Sequence, residues 1–143
     1  MSGAAPDHAV RILLMDNQRR LFASALHAKL EQDPRFEVVA VASDSDDAVR
    51  LAYEVEPDVV LLDAESHTAE TFSATRLISA HKPAPRVLIL AGAEEKFDAV
   101  EAHDAGAAAF LRRPRSAADL VETLELATVL IGATTSTDEP DDQ

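Results

Sequence analysis

Five short apolar runs, separated by stretches of helical period, constrain this sequence more than any other feature. They fall at residues 12–15, 36–41, 59–62, 87–90 and 107–111, the second of them mixed because it carries Glu37. The first, third and fourth are continuously apolar rather than alternating, which is the pattern of strands covered by helices on both faces. Between the runs, Phe22, Leu26 and Leu30 place a stripe on a first helix ending near Glu31. Ala48, Leu51, Ala52 and Val55 define a second, opened by cap candidates at residues 43–47 and closed by Pro57. A third, weakly patterned, covers residues 68–80, and a fourth covers 94–105 with Gly106 just beyond its end. A fifth opens at Ser116 and turns Leu120, Leu124, Ala127 and Ile131 inward. Strand–helix alternation repeated five times predicts an α/β fold: right-handed crossovers, an open parallel five-stranded sheet, and functional residues on the loops after the strand C-termini.

Composition narrows the classes. At 143 residues with 47% hydrophobic content, the chain fills one core, and we expect it over residues 10–133. Residues 1–9 read as a flexible segment without basic residues or an apolar stretch, and 134–143 as a disordered acidic tail carrying Asp138, Glu139, Asp141 and Asp142. The longest apolar run, residues 87–93, is far below a bilayer span, so neither membrane insertion nor a secretory signal is expected and the location expected is cytoplasmic. Zero cysteines remove disulfides, thiol catalysis and thiolate metal sites. A net charge of −13, from 26 acids against 13 Lys plus Arg, disfavours nucleic acid, whose binding depends on Lys and Arg displacing counterions. Protein partners are expected to be basic or apolar where they dock.

The strand ends carry the chemistry. Strand 1 runs into Asp16-Asn17, strand 3 into Asp63, strand 4 into Ala91-Gly92 and strand 5 into Arg112-Arg113-Pro114. Two carboxylates and a guanidinium therefore share one edge of the sheet. With the topological switch point between strands 1 and 3, Asp16 and Asp63 become neighbours. Adjacent carboxylates raise each other's pKa unless a cation joins them, which suggests a weak site for a hard divalent ion. His8, His27, His67, His81 and His103 show no ligand spacing and read as surface residues.

Over residues 10–133 the chain resembles a bacterial response-regulator receiver domain, CheY-like in plan. The stretches Leu30-Glu-Gln-Asp-Pro-Arg-Phe-Glu-Val-Val-Ala and Glu56-Pro-Asp-Val-Val-Leu-Leu-Asp63 are most similar to receivers of NarL/LuxR-type regulators. The resemblance implies a flavodoxin-like three-layer (βα)5 fold with strand order 2-1-3-4-5. It implies that Asp63 is the phosphoacceptor and that Asp16-Asn17 stands at the acidic pair for Mg²⁺. Ala91 falls at the strand-4 Thr/Ser position, Phe110 at the switch aromatic and Arg113-Pro114 at the Lys-Pro.

Three departures cluster on that chemistry. Asn17 ligates through an amide oxygen without bringing charge, which lowers affinity for Mg²⁺. Ala91 lacks the hydroxyl that receivers use to bond the phosphoryl group and draw in the aromatic. Arg113 is a planar fork able to clamp Asp63 or Asp16 bidentately. Phosphoryl transfer relies on neutralising charge at the moving oxygens, and each loss costs about 1–3 kcal/mol if the group is buried. Glu65 could return a carboxylate to the metal. Phe110 reads as core packing beside the small Ala91.

The expectation is a stand-alone, atypical receiver that is not an enzyme. It acts through docking to a larger complex or a sensor kinase by helix 4, strand 5 and helix 5, with phosphorylation at Asp63 slow or absent, and a homodimer is compatible with that. The alternative is a conventional single-domain regulator that accepts phosphoryl on Asp63 with Mg²⁺. Nucleotide-binding enzymes are disfavoured because residues 16–20 offer no glycine-rich phosphate cradle. A haloacid-dehalogenase-like phosphatase is disfavoured because Asp63-Ala-Glu65 lies on the third strand. A DNA-binding regulator is disfavoured by the acidity and the lack of a reading helix.

Overall fold

A computed structural model describes residues 9–15, 20–64, 68–91, 99–112, 118, 119, 121 and 122. The chain alternates β1 (Val10–Met15), α1 (Arg20–Glu31), β2 (Phe36–Ala42), α2 (Ser45–Val55), β3 (Val59–Asp63), α3 (Thr68–Ser79), β4 (Arg86–Ala91), α4 (Ala99–Ala105) and β5 (Ala109–Arg112). The strands form one sheet of order β2-β1-β3-β4-β5, parallel at every pairing, as the receiver-like pattern implies. Residues 118, 119, 121 and 122 are helical, within the fifth helix predicted from sequence. Its inward positions Leu120, Leu124, Ala127 and Ile131 lie outside the described residues, as do the side chain of Phe22, the segments 1–8 and 134–143, and the first part of the predicted fourth helix.

The continuous apolar runs are explained by cover on both faces. Every residue of β3 is buried, as is β4 from Val87 onward. One face of the sheet, through Leu13, Val60, Leu62, Val87 and Ile89, packs against Ala48 and Ala52 of α2, Phe72 and Ile78 of α3, and Ala102 and Ala105 of α4. The other face, through Ile12, Leu14, Leu61, Leu88 and Leu90, packs against Leu26 and Leu30 of α1 with Val121 alongside. Edge strand β2 is buried only at its ends, Phe36 and Ala42; Glu37 and Val41 are exposed and the three residues between them half-buried.

Local chemistry sets the element boundaries. Asp44 caps α2 in extended conformation, its carboxylate accepting from the Asp47 N–H at 2.8 Å. The helix ends at Glu56, which takes a left-handed conformation (φ 50°) while its N–H reaches the Ala52 carbonyl. Pro57 disfavours the right-handed region for the residue before it, and Arg11 Nη1 donates to the Glu56 carbonyl at 2.7 Å. Sequence places the start of the fifth strand at residue 107, whereas β5 begins at Ala109. The reason is a C-terminal helix motif: Gly106 N–H reaches His103 O and Ala107 N–H reaches Ala102 O, with Gly106 at φ 111°. The chain must finish that turn before it can pair.

Candidate functional site

The parallel sheet delivers Met15, Ala42, Asp63, Ala91 and Arg112 to one edge as the last residues of their strands. Asp63 is the final residue of β3 and only 4% exposed, paired in register with Leu90 of β4. Sequence periodicity ends the strand at residue 62. The ladder runs further because the Ala64 N–H donates to the Leu90 carbonyl at 2.8 Å. Asp63 is therefore held by backbone pairing up to its own position and by a cross-strand bond just after it. A carboxylate that is almost wholly buried is costly to desolvate unless it is partnered, and Asp63 is not without an interaction partner.

The remaining site positions are placed by register. Met15, which precedes Asp16, pairs with Leu62, which precedes Asp63. Ala91 is fully buried at the end of β4 and pairs with Arg112, which precedes Arg113. Phe110 pairs with Ile89 and packs half-buried against the cluster formed by the sheet with α2, α3 and α4. Asp16, Asn17, Glu65 and Arg113 lie outside the described residues, so of the sequence-predicted set the structure places Asp63, Ala91 and Phe110. Among the described residues no three His, Asp or Glu side chains converge on a metal position. A buried carboxylate such as Asp63 fits the oxygen-donor chemistry of Mg²⁺, and the other positions implied for the ion, Asp16, Asn17 and Glu65, follow Met15 and Ala64 in sequence.

Two features beyond the strand-end set were not read from sequence. His81 is not a simple surface residue: its Nε2 is buried with no hydrogen-bond partner among the described residues, and its ring lies 3.5 Å, centroid to centroid, from that of Tyr53 with a 41° tilt. Long-range placement of the α2 and α3 C-termini creates that contact, so no local pattern signals it. The second is a groove between α2 and α3. Leu77 of α3 lines it, and the weak pattern of that helix in sequence gave no signal of a groove there.

Ionisable groups near the site edge are arranged around the start of α2. The Ser43 N–H, 3.1 Å from Asp47 Oδ2, and then the Arg50 guanidinium hold the Asp47 carboxyl below its ordinary value. Arg50 bridges Asp47 and Glu54, and the two acids raise its own pKa. These pairs are local to one helix and leave the strand-end carboxylate outside their network.

A buried aspartate closing the third strand of a 2-1-3-4-5 parallel sheet defines a class, and comparison with known proteins gives the family. Residues 12–125 match the response regulator receiver domain, and the chain belongs to that family. Among curated relatives it is 35% identical over 122 residues to a protein-glutamate methylesterase/protein-glutamine glutaminase of Anaeromyxobacter dehalogenans, covering 85% of this chain and 35% of that protein. It is 30% identical over 118 residues to the transcriptional regulatory protein LiaR of Bacillus subtilis, covering 82% and 56%. The chain thus spans between about a third and somewhat over half of these relatives. Among solved structures, a LuxR-family response regulator of Aurantimonas aligns with TM-score 0.72 at 31% identity, covering 87% of this chain and 86% of that one. The receiver of Mycobacterium tuberculosis NarL aligns with TM-score 0.73 at 24% identity, covering 84% and 96%, a likeness of fold.

Proposed function

We propose that this receiver acts in two-component signalling chiefly as a protein-docking module, with phosphoryl transfer to Asp63 slow or absent. The observation that carries the proposal is Ala91, a fully buried methyl at the end of the strand beside β3. It offers no hydroxyl to an incoming phosphoryl oxygen and none to draw Phe110 inward. Asn17 weakens the metal set in the same direction. On this reading Arg113, next in sequence after the last residue of β5, would supply the positive charge that holds the site in one state. The docking face is α4, β5 and the helix after it, and a sensor kinase or a larger complex is the partner class. The chain itself has no catalytic role, and methylesterase activity belongs to the relatives that carry that name.

Burial of Asp63 favours a second reading, conventional phosphorelay, because the acceptor carboxylate is retained where receiver chemistry needs it. In that case Asp63, Asp16, the Asn17 amide oxygen and Glu65 would hold Mg²⁺, which would supply charge neutralisation at the phosphoryl oxygens. Restoring the missing groups separates the readings. The Asn17→Asp/Ala91→Thr double variant, incubated with acetyl phosphate and Mg²⁺, should acquire phosphate at least about tenfold faster than wild type, since each restored contact is worth on the order of a kcal/mol. Equal rates in the two proteins would show that neither substitution limits the chemistry.

A further inference from the structure

Two helices on the same face of the sheet leave a groove that the core does not fill. It is lined by Val49 of α2 and by Ala74 and Leu77 of α3, with Asp46 and Glu70 of the first turns at one end. The volume is about 200 Å³, below the roughly 300–1,000 Å³ of small-molecule sites and suited instead to an apolar side chain from a partner. Leu77 is 56% exposed and Tyr53, one turn beyond Val49, is 62% exposed. Tyr53 is not part of the groove's lining, but it follows Val49 by one helical turn and so adjoins the groove; adjoining exposed apolar side chains mark an interaction surface more than scattered ones do. The tilted contact of Tyr53 with His81, two residues past the end of α3, links the far ends of the two helices.

The charge pattern of the groove selects its occupant. Asp46 and Glu70 sit in the first turns of α2 and α3, so the negative end lies toward the strand-end edge and the apolar end away from it. Neither acid takes part in an ion pair among the described residues, whereas Asp47 and Glu54 of the same α2 are both held by Arg50. A second copy of this chain, at net charge −13, would bring like charge to an acidic rim. We infer that the α2–α3 groove docks a basic amphipathic helix of a partner protein, with Lys or Arg at Asp46 and Glu70 and an apolar side chain about two turns further on against Leu77 and Tyr53. The spacing follows from the 1.5 Å rise per residue between Asp46 and Tyr53. The inference does not depend on whether Asp63 is phosphorylated.

The test uses the full chain and a synthetic Leu/Lys peptide with its leucines on one helical face, read by amide chemical shifts and by fluorescence anisotropy. Shifts should concentrate at residues 45–53 and 69–81. The Asp46→Lys/Glu70→Lys variant should weaken binding about tenfold, as expected for two rim pairs. The Glu37→Lys/Asp104→Lys variant, with the same net charge, should bind as wild type. Leu77→Ala, an exposed truncation that leaves the core intact, should weaken binding severalfold. Equal loss in the two charge variants, shifts spread over all acidic surfaces, or absence of binding would each overturn the inference. So would self-association of the chain through Leu77, detected by sedimentation and removed by the alanine variant.

Discussion

Gly106 shows how one residue can hold two elements in place. At φ 111° it adopts a conformation that side chains rarely tolerate, and a Cβ built there would lie 2.4 Å from Ser79 Oγ and 2.7 Å from Ser79 Cβ. The Ser79 hydroxyl already donates to the Gly106 carbonyl at 3.2 Å. Gly106→Ala should therefore cost about 1–3 kcal/mol, read as a lower urea midpoint, and Ser79→Gly should recover only the steric part of that loss. Asp44 is simpler: removing its cap on α2 with Asp44→Ala should cost about 1 kcal/mol. Asp47 adds a pH dependence whose sign follows from its bonds. Its pKa is lower in the folded chain than the ordinary 3.8, so its stabilisation is present above that value and is lost as pH falls through the folded one. Urea titrations at neutral and acid pH should show a smaller acid loss for Asp47→Asn than for wild type. Solvent screening at this partly exposed site keeps the difference small. Gly106 was legible in sequence as a helix stop, because glycine after a periodic run is a local signal. Its contact with Ser79 was not, because that depends on how α3 and α4 pack.

At the scale of elements, the continuous apolar runs settled the parallel sheet before any coordinates, since a strand buried on both faces has no polar face to show. Boundaries were less legible where backbone bonds decide them: Asp63 joins β3 through the Ala64–Leu90 bond, and β5 waits for the turn at Gly106. α3 was weakly patterned in sequence because it buries Thr71 and Thr75, whose hydroxyls do not register as apolar; Thr75 Oγ1 donates to the Thr71 carbonyl at 2.8 Å. Burial also orders the local stabilities. β1, β3 and β4 lie inside the sheet with helices on both faces, while β2 is an edge with exposed positions. Amide hydrogen exchange should be slowest in β1, β3 and β4 and faster in β2. Protection in β2 equal to that in β3 would contradict this order.

For the whole molecule, charge and topology act on different functions. Topology gathers Asp63, Ala91 and the ends of β1 and β5 on one edge; of the residues by which the sequence pointed to that edge, Asp63 lies among the described residues, and Asp16 and Arg113 do not. Surfaces formed by two helices, such as that between α2 and α3, were not legible, since they need the third dimension. The acidity of the chain weakens compactness through self-repulsion and strengthens attraction to basic partners. Raising salt from low to physiological ionic strength, where screening falls to about 8 Å, should raise the thermal midpoint of the chain while weakening its hold on a basic partner. At the strand-end edge, buried Asp63 stands beside the methyl of Ala91, and the proposed docking role predicts that Asp63 takes up little phosphoryl. Intact-mass measurement after incubation with acetyl phosphate and Mg²⁺, on wild type beside Asp63→Asn, tests it most directly. The expected result is little or no gain of about 80 Da, the mass of one phosphoryl group, in either protein. A complete gain in wild type that disappears in Asp63→Asn would contradict it.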